Sequence, residues 1–191
     1  MTALGAQAVV IGASAGAVQA LLAILPALPA SYPLPVLVVV HVPPDRRNVL
    51  VPLLQGKCRL AVKEAEDKEP ALAGTIYLAP SDYHLLVETG GSLALSTEAP
   101  VNYSRPSIDV LFESAADAYG PALAGVILTG ANHDGAAGLK AVADAGGAVV
   151  VETPEDAYAK AMPRAALEAC PSAPTMTLDG VTTYLLSLGM A

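Results

Sequence analysis

A serine, a histidine and an aspartate occupy positions from which they could together carry out nucleophilic catalysis. Ser14 follows one apolar run, His41 ends a second, and Asp134 follows a third. A serine hydroxyl is a weak nucleophile, so it needs a base within hydrogen-bond reach and a third group that orients that base. The three residue types therefore predict a hydrolase that works through a Ser-His-Asp triad.

Each of the three residues also has a simpler structural explanation. Ser14 and Asp134 could each cap the helix that follows, because serine and aspartate accept hydrogen bonds from first-turn N–H groups. His41 could be a core residue that bonds a backbone carbonyl. All three stand at junctions between a strand and a helix, and packing alone rarely delivers such a set. The joint pattern favours the catalytic interpretation.

Apolar runs alternate with helical patterns, which predicts an α/β fold with a doubly wound, mostly parallel, Rossmann-like sheet. The predicted strands are Ala8–Gly12, Val36–His41, Ala124–Thr129 and Ala148–Val151. The predicted helices are Ala15–Leu25, Arg46–Gln55, Ser107–Tyr119, Asp134–Ala145 and one after Pro163. A small antiparallel excursion is predicted between residues 59 and 98, from the hairpin-like runs Thr75–Leu78, Leu85–Glu88 and Leu93–Ser96. Ligands bind beyond the carboxyl ends of the strands in such sheets.

Composition limits the classes of function. The chain has 191 residues, 53% of them hydrophobic, a mean hydropathy of +0.50 and no repeat, which predicts one domain over residues 1–191. Its 18 acidic and 10 basic residues give a net charge of −8, so a nucleic acid would be repelled. Cys58 and Cys170 form neither a metal motif nor a disulfide framework. We expect a cytoplasmic enzyme with no metal and no cofactor.

The first 44 residues contain no Asp, Glu, Lys or Arg, which raises the question of a signal peptide or a membrane span. A signal peptide needs a basic start, and a spanning helix needs roughly 20 uninterrupted apolar residues. Four prolines between positions 26 and 35 interrupt this stretch. We therefore expect buried strands and a helix, and no insertion into a membrane.

Other polar residues compete for roles in the site. His84 lies in the middle section of the chain. We interpret it as a residue of the site wall or a structural residue, in preference to the catalytic base. His133 adjoins Asp134, and neighbouring side chains usually diverge, although His133 could line the mouth of the pocket. Arg105 is a loop cation that could clamp an acidic substrate surface or simply face solvent.

Several motifs spread over almost the whole chain resemble the catalytic domain of CheB-type protein-glutamate methylesterases. They are Val10–Gly16, His41–Pro44, Val62–Asp67, Tyr77–Pro80, Arg105–Phe112, Val126–Gly130, Asp134–Gly138 and Met162–Arg164. The resemblance implies a triad of Ser14, His41 and Asp134. It also implies demethylation of glutamate γ-methyl esters on the cytoplasmic helices of chemoreceptors, and a possible deamidation of receptor glutamines.

The expected reaction needs donors for an oxyanion and contacts to substrate. Backbone N–H groups at the helix start, from Ala15 and from the Gly130–Ala131 turn, are the candidate oxyanion-hole donors. Arg105 and His84 complete the candidate substrate-binding set.

The chain departs from the family pattern in places. Ala17 stands where a second glycine is frequent, and Ala131 and Asn132 replace a Met-Gly pair, which is expected to reshape the pocket beside the ester. Family members usually carry an N-terminal receiver domain, whereas this chain begins at the first catalytic strand. We expect control through a separate response-regulator partner and not in cis.

Three other classes are compatible with parts of the sequence. An α/β-hydrolase would share Gly12-x-Ser14-x-Gly16, but its histidine follows the nucleophile and the acid, and no histidine follows His133 here. A dinucleotide-binding protein needs a glycine where Ser14 stands and an acid where His41 stands. A non-catalytic adaptor of a chemosensory complex, with a degenerate esterase site, is the remaining alternative.

Overall fold

In the computed structural model, which describes residues 5–41 and 49–190, seven parallel strands form one sheet and two antiparallel strands form another. The parallel strands are β1 (Ala8–Ala13), β2 (Val36–Val40), β3 (Ala61–Glu64), β4 (Thr75–Leu78), β7 (Leu123–Ile127), β8 (Ala148–Glu152) and β9 (Thr175–Met176). The antiparallel pair is β5 (His84–Val87) and β6 (Leu93–Ser96). The predicted fold class, a mostly parallel α/β sheet with a small antiparallel excursion, is confirmed.

Six α-helices cover the sheet within the described ranges. They are α1 (Ala17–Ile24), α2 (Leu50–Gln55), α3 (Ile108–Tyr119), α4 (Ala136–Asp144), α5 (Ala161–Ala169) and α6 (Leu178–Leu188). Short 3₁₀ turns at Leu25–Ala27 and Gly120–Ala122 follow α1 and α3. None of these helices combines the length and the apolar character that a bilayer span requires.

The strand order β3-β4-β2-β1-β7-β8-β9 contains a topological switch point. From β1 the chain builds outward through β2 on one side and later through β7 on the other. A crevice opens at the carboxyl ends of the strands where the order reverses, and ligands bind there in sheets of this kind. Residues that follow β1, β2 and β7 are therefore the ones expected to line a site.

Strand β1 is buried on both faces, which explains its continuous apolar sequence. Val9 and Ile11 pack into the cluster that contains α1 and α6, whereas Ala8 and Val10 pack into the cluster that contains α3 and α4. The residue that leaves β1 is consequently held between two packed layers. The backbone at this position therefore holds a side chain in a fixed place.

The middle section differs from its prediction. Thr75–Leu78, expected as a hairpin strand, is β4 of the main sheet and pairs in parallel with β2 and β3. Strand β3 was not predicted. The predicted hairpin is formed by β5 and β6 alone.

The predicted helices differ from the observed ones at their starts. Helices α3 and α4 begin at Ile108 and Ala136 and not at the predicted Ser107 and Asp134, because Ser107 and Gly135 are their N-cap residues. Helix α1 begins at Ala17 and not at Ala15, because the turn at Gly16 intervenes. Helix α5 begins before Pro163, since a proline in the first turn removes an N–H that has no partner within the helix. The predicted helix Arg46–Gln55 lies partly outside the described residues, and α2 covers its second part.

Candidate active site

Ser14, His41 and Asp134 form a hydrogen-bonded row at the switch point. The Nδ1 atom of His41 lies 3.2 Å from Oγ of Ser14, and Nε2 lies 2.7 Å from Oδ2 of Asp134. In the chymotrypsin arrangement Nε2 faces the serine and Nδ1 faces the aspartate, so the ring here is used the other way round. The order serine, histidine and carboxylate is the same.

A tight turn sets the position of Ser14 between β1 and α1. Gly16 adopts φ +84°, and a Cβ there would lie 2.7 Å from Cβ of Tyr158, so both the conformation and the space favour glycine. Gly16 is also the N-cap residue of α1, with no side-chain cap. The alternative in which Ser14 caps this helix is therefore wrong, and its hydroxyl contacts His41 instead.

Thr129, just after β7, anchors the loop that carries Ser14. Its carbonyl accepts the N–H of Ser14 at 2.9 Å, and its hydroxyl donates to the carbonyl of Ala15 at 2.8 Å. The same hydroxyl accepts the N–H of Ala159 at 2.8 Å. One threonine thus joins the Ser14 turn to the loop that precedes α5.

The Asp134 carboxylate is fully buried and accepts hydrogen bonds from several donors. Besides His41, the donors are Nδ2 of Asn102 (2.8 Å), Oγ of Ser107 (2.8 Å), and the N–H groups of Ile108 (2.7 Å) and Asp109 (3.2 Å). Burial alone would raise the pKa of Asp134, but the bonds from His41, Ile108, Asn102 and Ser107 outweigh it and lower the pKa. The carboxylate is therefore kept ionised beside the imidazole.

Two of these donors are the first N–H groups of α3, so Asp134 caps a helix distant in sequence and not the helix that follows it. Asp109 in α3 does the reverse and caps α4: its Oδ1 accepts the N–H groups of Gly135 (3.0 Å) and Gly138 (2.6 Å). The NH₂ group of Asn102 donates to both carboxylates, at 2.7 Å for Asp109. These bonds hold the starts of α3 and α4 together around the Asp134 carboxylate.

Sequence reasoning did not single out Asn102, Ser107, Asp109, Thr129 or Glu152. An acidic residue in the first turn of a helix, such as Asp109, is ordinary because it favours the helix dipole. Nothing local marks it as the cap of another helix.

His84 and Arg105 lie close to this network but have their own partners. The ring of His84 is buried, with Nδ1 accepting the N–H of Ser107 at 3.2 Å and Nε2 lying 3.0 Å from the carbonyl of Ala99. Arg105 donates to Asp82 at 2.7 Å and to two loop carbonyls, at Thr97 and Glu98. Both residues therefore have structural roles. Their contact with substrate stays a prediction.

The expected oxyanion donors lie on either side of the switch point. Gly130 donates its N–H to the carbonyl of Ala159 at 3.1 Å, so that N–H is already used. The N–H of the next residue, Ala131, is therefore the expected donor from this turn, together with that of Ala15 from the Ser14 turn. Among the described residues, no group of three His, Cys, Asp or Glu side chains is arranged to hold a metal ion.

We expect Asp134→Asn to lower turnover by about 10⁴ and to reduce stability. An amide cannot stabilise the imidazolium and can hold the ring of His41 in the wrong tautomer. Whichever oxygen becomes NH₂, the backbone N–H of Ile108 or Asp109 loses its acceptor, at a cost of about 1–3 kcal/mol. Steady-state kinetics and urea unfolding check the two effects. A variant nearly as active as the parent would contradict the assigned role.

A third buried carboxylate, besides those of Asp134 and Asp109, lies close to the site. Glu152 ends β8, and its Oε2 accepts the N–H of Thr129 at 2.7 Å. Burial raises the pKa of Glu152, a rise that the bond from Thr129 opposes and the charge of Asp156 reinforces. A folded-state pKa above the unfolded one means that the folded protein binds this proton more tightly. The associated stability is present at low pH and is lost as the pH rises through the folded pKa.

We therefore expect Glu152→Gln to raise the free energy of unfolding at pH 8 and to change it little at pH 4. The amide oxygen still accepts the N–H of Thr129, while the buried charge is removed. Urea unfolding at the two pH values measures the difference. A loss of stability at pH 8 would show that the charge of Glu152 stabilises the fold.

Comparison with known proteins gives the same family by three routes. A sequence model of the CheB methylesterase family matches residues 9–185. The chain is 42% identical over 182 residues to a putative protein-glutamate methylesterase/protein-glutamine glutaminase of Leptospira interrogans, covering 95% of this chain and 94% of that protein. It is 39% identical over 163 residues to the corresponding Archaeoglobus fulgidus protein, covering 84% of this chain and 47% of that protein.

A solved structure shows the same fold. The crystal structure of the Thermotoga maritima CheB methylesterase catalytic domain superposes with a TM-score of 0.91 at 34% sequence identity. The match covers 97% of this chain and all of that one.

Proposed function

Because the chain belongs to the CheB methylesterase family, we propose that it is a serine hydrolase that demethylates glutamate γ-methyl esters on chemoreceptors. The observation that carries the proposal is the continuous row from Oγ of Ser14 through the ring of His41 to the buried Asp134, with links of 3.2 and 2.7 Å. A nucleophile, a base and an orienting acid at these distances are what acyl transfer requires.

The first half-reaction forms an acyl-enzyme. Nδ1 of His41 accepts the proton of Ser14 while Oγ attacks the γ-carbonyl carbon, and the carbonyl electron pair moves onto oxygen. When the tetrahedral intermediate collapses, the bond to the methoxy oxygen breaks and methanol leaves with the proton from Nδ1. Asp134 stabilises the transient imidazolium through Nε2–H.

The second half-reaction releases glutamate. Water gives its proton to His41 and attacks the glutamyl ester on Ser14, and the proton returns to Oγ as the ester bond breaks. Backbone N–H groups of Ala15 and Ala131 are the proposed oxyanion donors in both halves. Such a donor is typically worth about 2.7–4 kcal/mol.

Glutamine side chains of the receptor are the proposed second substrate class. The same attack on a γ-amide expels ammonia in place of methanol and leaves the same glutamyl ester. The names of the relatives from Leptospira interrogans and Archaeoglobus fulgidus include this glutaminase activity.

The proposed partner is a receptor helix, approached from the solvent side of the switch point. Tyr158 packs against Gly16 and is 83% exposed, and Tyr103, next in the chain to Asn102, is fully exposed. Aromatic side chains that present both apolar and polar surface suit a helical protein partner. The proposed setting is the cytoplasm.

Release of methanol from receptor-containing membranes labelled at their methyl esters tests the function. The proposal expects release with the wild-type chain and none above background with Ser14→Ala. Mass spectrometry of the receptor peptides reads demethylation and deamidation separately. No methanol release and no mass change with the wild-type chain would overturn the proposal.

A further inference from the structure

Asn132 places a hydrogen-bond donor beside the base. Its Nδ2 atom lies 3.4 Å from Nδ1 of His41, the same ring nitrogen that faces Oγ of Ser14. Its Oδ1 atom accepts the backbone N–H of Asp134 at 3.1 Å. Only an acceptor can face that N–H, so the amide orientation is fixed and its NH₂ group points into the site.

This contact constrains the protonation of the ring. An amide NH₂ group only donates, so Nδ1 of His41 must present its lone pair, and the proton of the neutral ring is then on Nε2, where it donates to Asp134. That tautomer is the one in which His41 can take the proton of Ser14. Two donors, Ser14 and Asn132, share the single in-plane lone pair of Nδ1, so both lie on the same side of the ring.

Resting on the proposed function, we propose that Asn132 is a catalytic residue whose Nδ2–H donates to the oxyanion formed on Ser14. In the free enzyme this N–H bonds the lone pair of His41. When Nδ1 takes the proton of Ser14, its lone pair is no longer available, so the amide N–H of Asn132 loses its acceptor. At the same step, negative charge appears on the carbonyl oxygen of the substrate, which is bonded to the carbon that Oγ attacks. The donor thus becomes available in the transition state, where an interaction accelerates the reaction.

Asn132→Ser separates this role from a structural one. A serine hydroxyl still accepts the N–H of Asp134 in a turn, as asparagine does, but is too short to reach Nδ1 of His41. Asn132→Asp also keeps the turn acceptor and replaces the donor by an oxygen. We expect kcat for methanol release to fall by about 10²–10³ in both variants, with KM changed little.

Binding of phenylboronic acid, which forms a tetrahedral anionic adduct on a reactive serine, gives a second readout. We expect its inhibition constant to weaken by at least tenfold in Asn132→Ser. His133→Ala is the matched control, since this exposed side chain lies in the same loop, and its kcat and boronate affinity should equal those of the parent. Thermal melting confirms that each variant is folded.

The outcomes separate the two proposals. Parental kcat and boronate affinity in folded Asn132→Ser would overturn the role of Asn132, while methanol release by the wild type that is lost in Ser14→Ala leaves the proposed function standing. A rise in KM alone, with kcat unchanged, would also overturn the proposed role of Asn132. A wild-type chain without methanol release would overturn both.

Discussion

Ser14→Ala is expected to lower kcat for demethylation by about 10⁶ while the protein stays folded. The hydroxyl contacts His41, whereas the backbone of this residue makes the structural bonds: its N–H donates to Thr129 and its carbonyl accepts the N–H of Ala17. Alanine preserves those backbone bonds and removes the only atom that attacks the ester.

Single-turnover methanol release and circular dichroism together check this result. The residual rate should exceed the rate of the uncatalysed reaction only by the acceleration that substrate binding and the oxyanion donors provide. More than a small fraction of the parental rate in a folded variant would remove Ser14 as the nucleophile.

His41→Ala is expected to be nearly as severe, because a triad acts as a unit and loss of its base leaves the serine protonated. The substitution also leaves the buried Asp134 carboxylate with one donor fewer, but the other donors to it remain. We therefore expect a folded protein with kcat reduced by about 10⁶. The rates are compared on the same methylated membranes.

His84→Ala is the matched control for this base. His84 bonds the N–H of Ser107, which in turn donates its hydroxyl to Asp134, so it reaches the site only through another residue. We expect a lower melting temperature and a much smaller loss of kcat than in His41→Ala. The opposite ranking of the two rates would move the base to His84.

The sheet was predictable from the chain wherever strands are buried on both faces. Strand β1 has no exposed residue, so its apolar run stands out in the sequence. Strand β3 is an edge strand of four residues in which only Val62 is buried, and its pattern carries too little signal. Gly74 and Pro80 on either side of β4 look like turn residues, so the sequence pattern favours a hairpin there. The parallel pairing of β4 depends on β2, distant in the chain.

The three central residues of the site were predictable because each lies where an apolar run gives way to a helix. The residues that hydrogen-bond to Asp134 were not predictable in this way. Asn102 and Ser107 reach Asp134 across 32 and 27 positions, through contacts that exist only once α3 and α4 have packed. The amide of Asn132 was visible only as a departure from a pattern, and its direction required the position of the His41 ring.

Covalent labelling by a fluorophosphonate probe tests the central claim most directly, because it reports whether Ser14 is an activated nucleophile without needing the receptor. The account predicts a single adduct that tandem mass spectrometry maps to Ser14, lost in His41→Ala and retained in His133→Ala. An unlabelled wild-type chain, as a non-catalytic adaptor would give, or an adduct on another residue would contradict it.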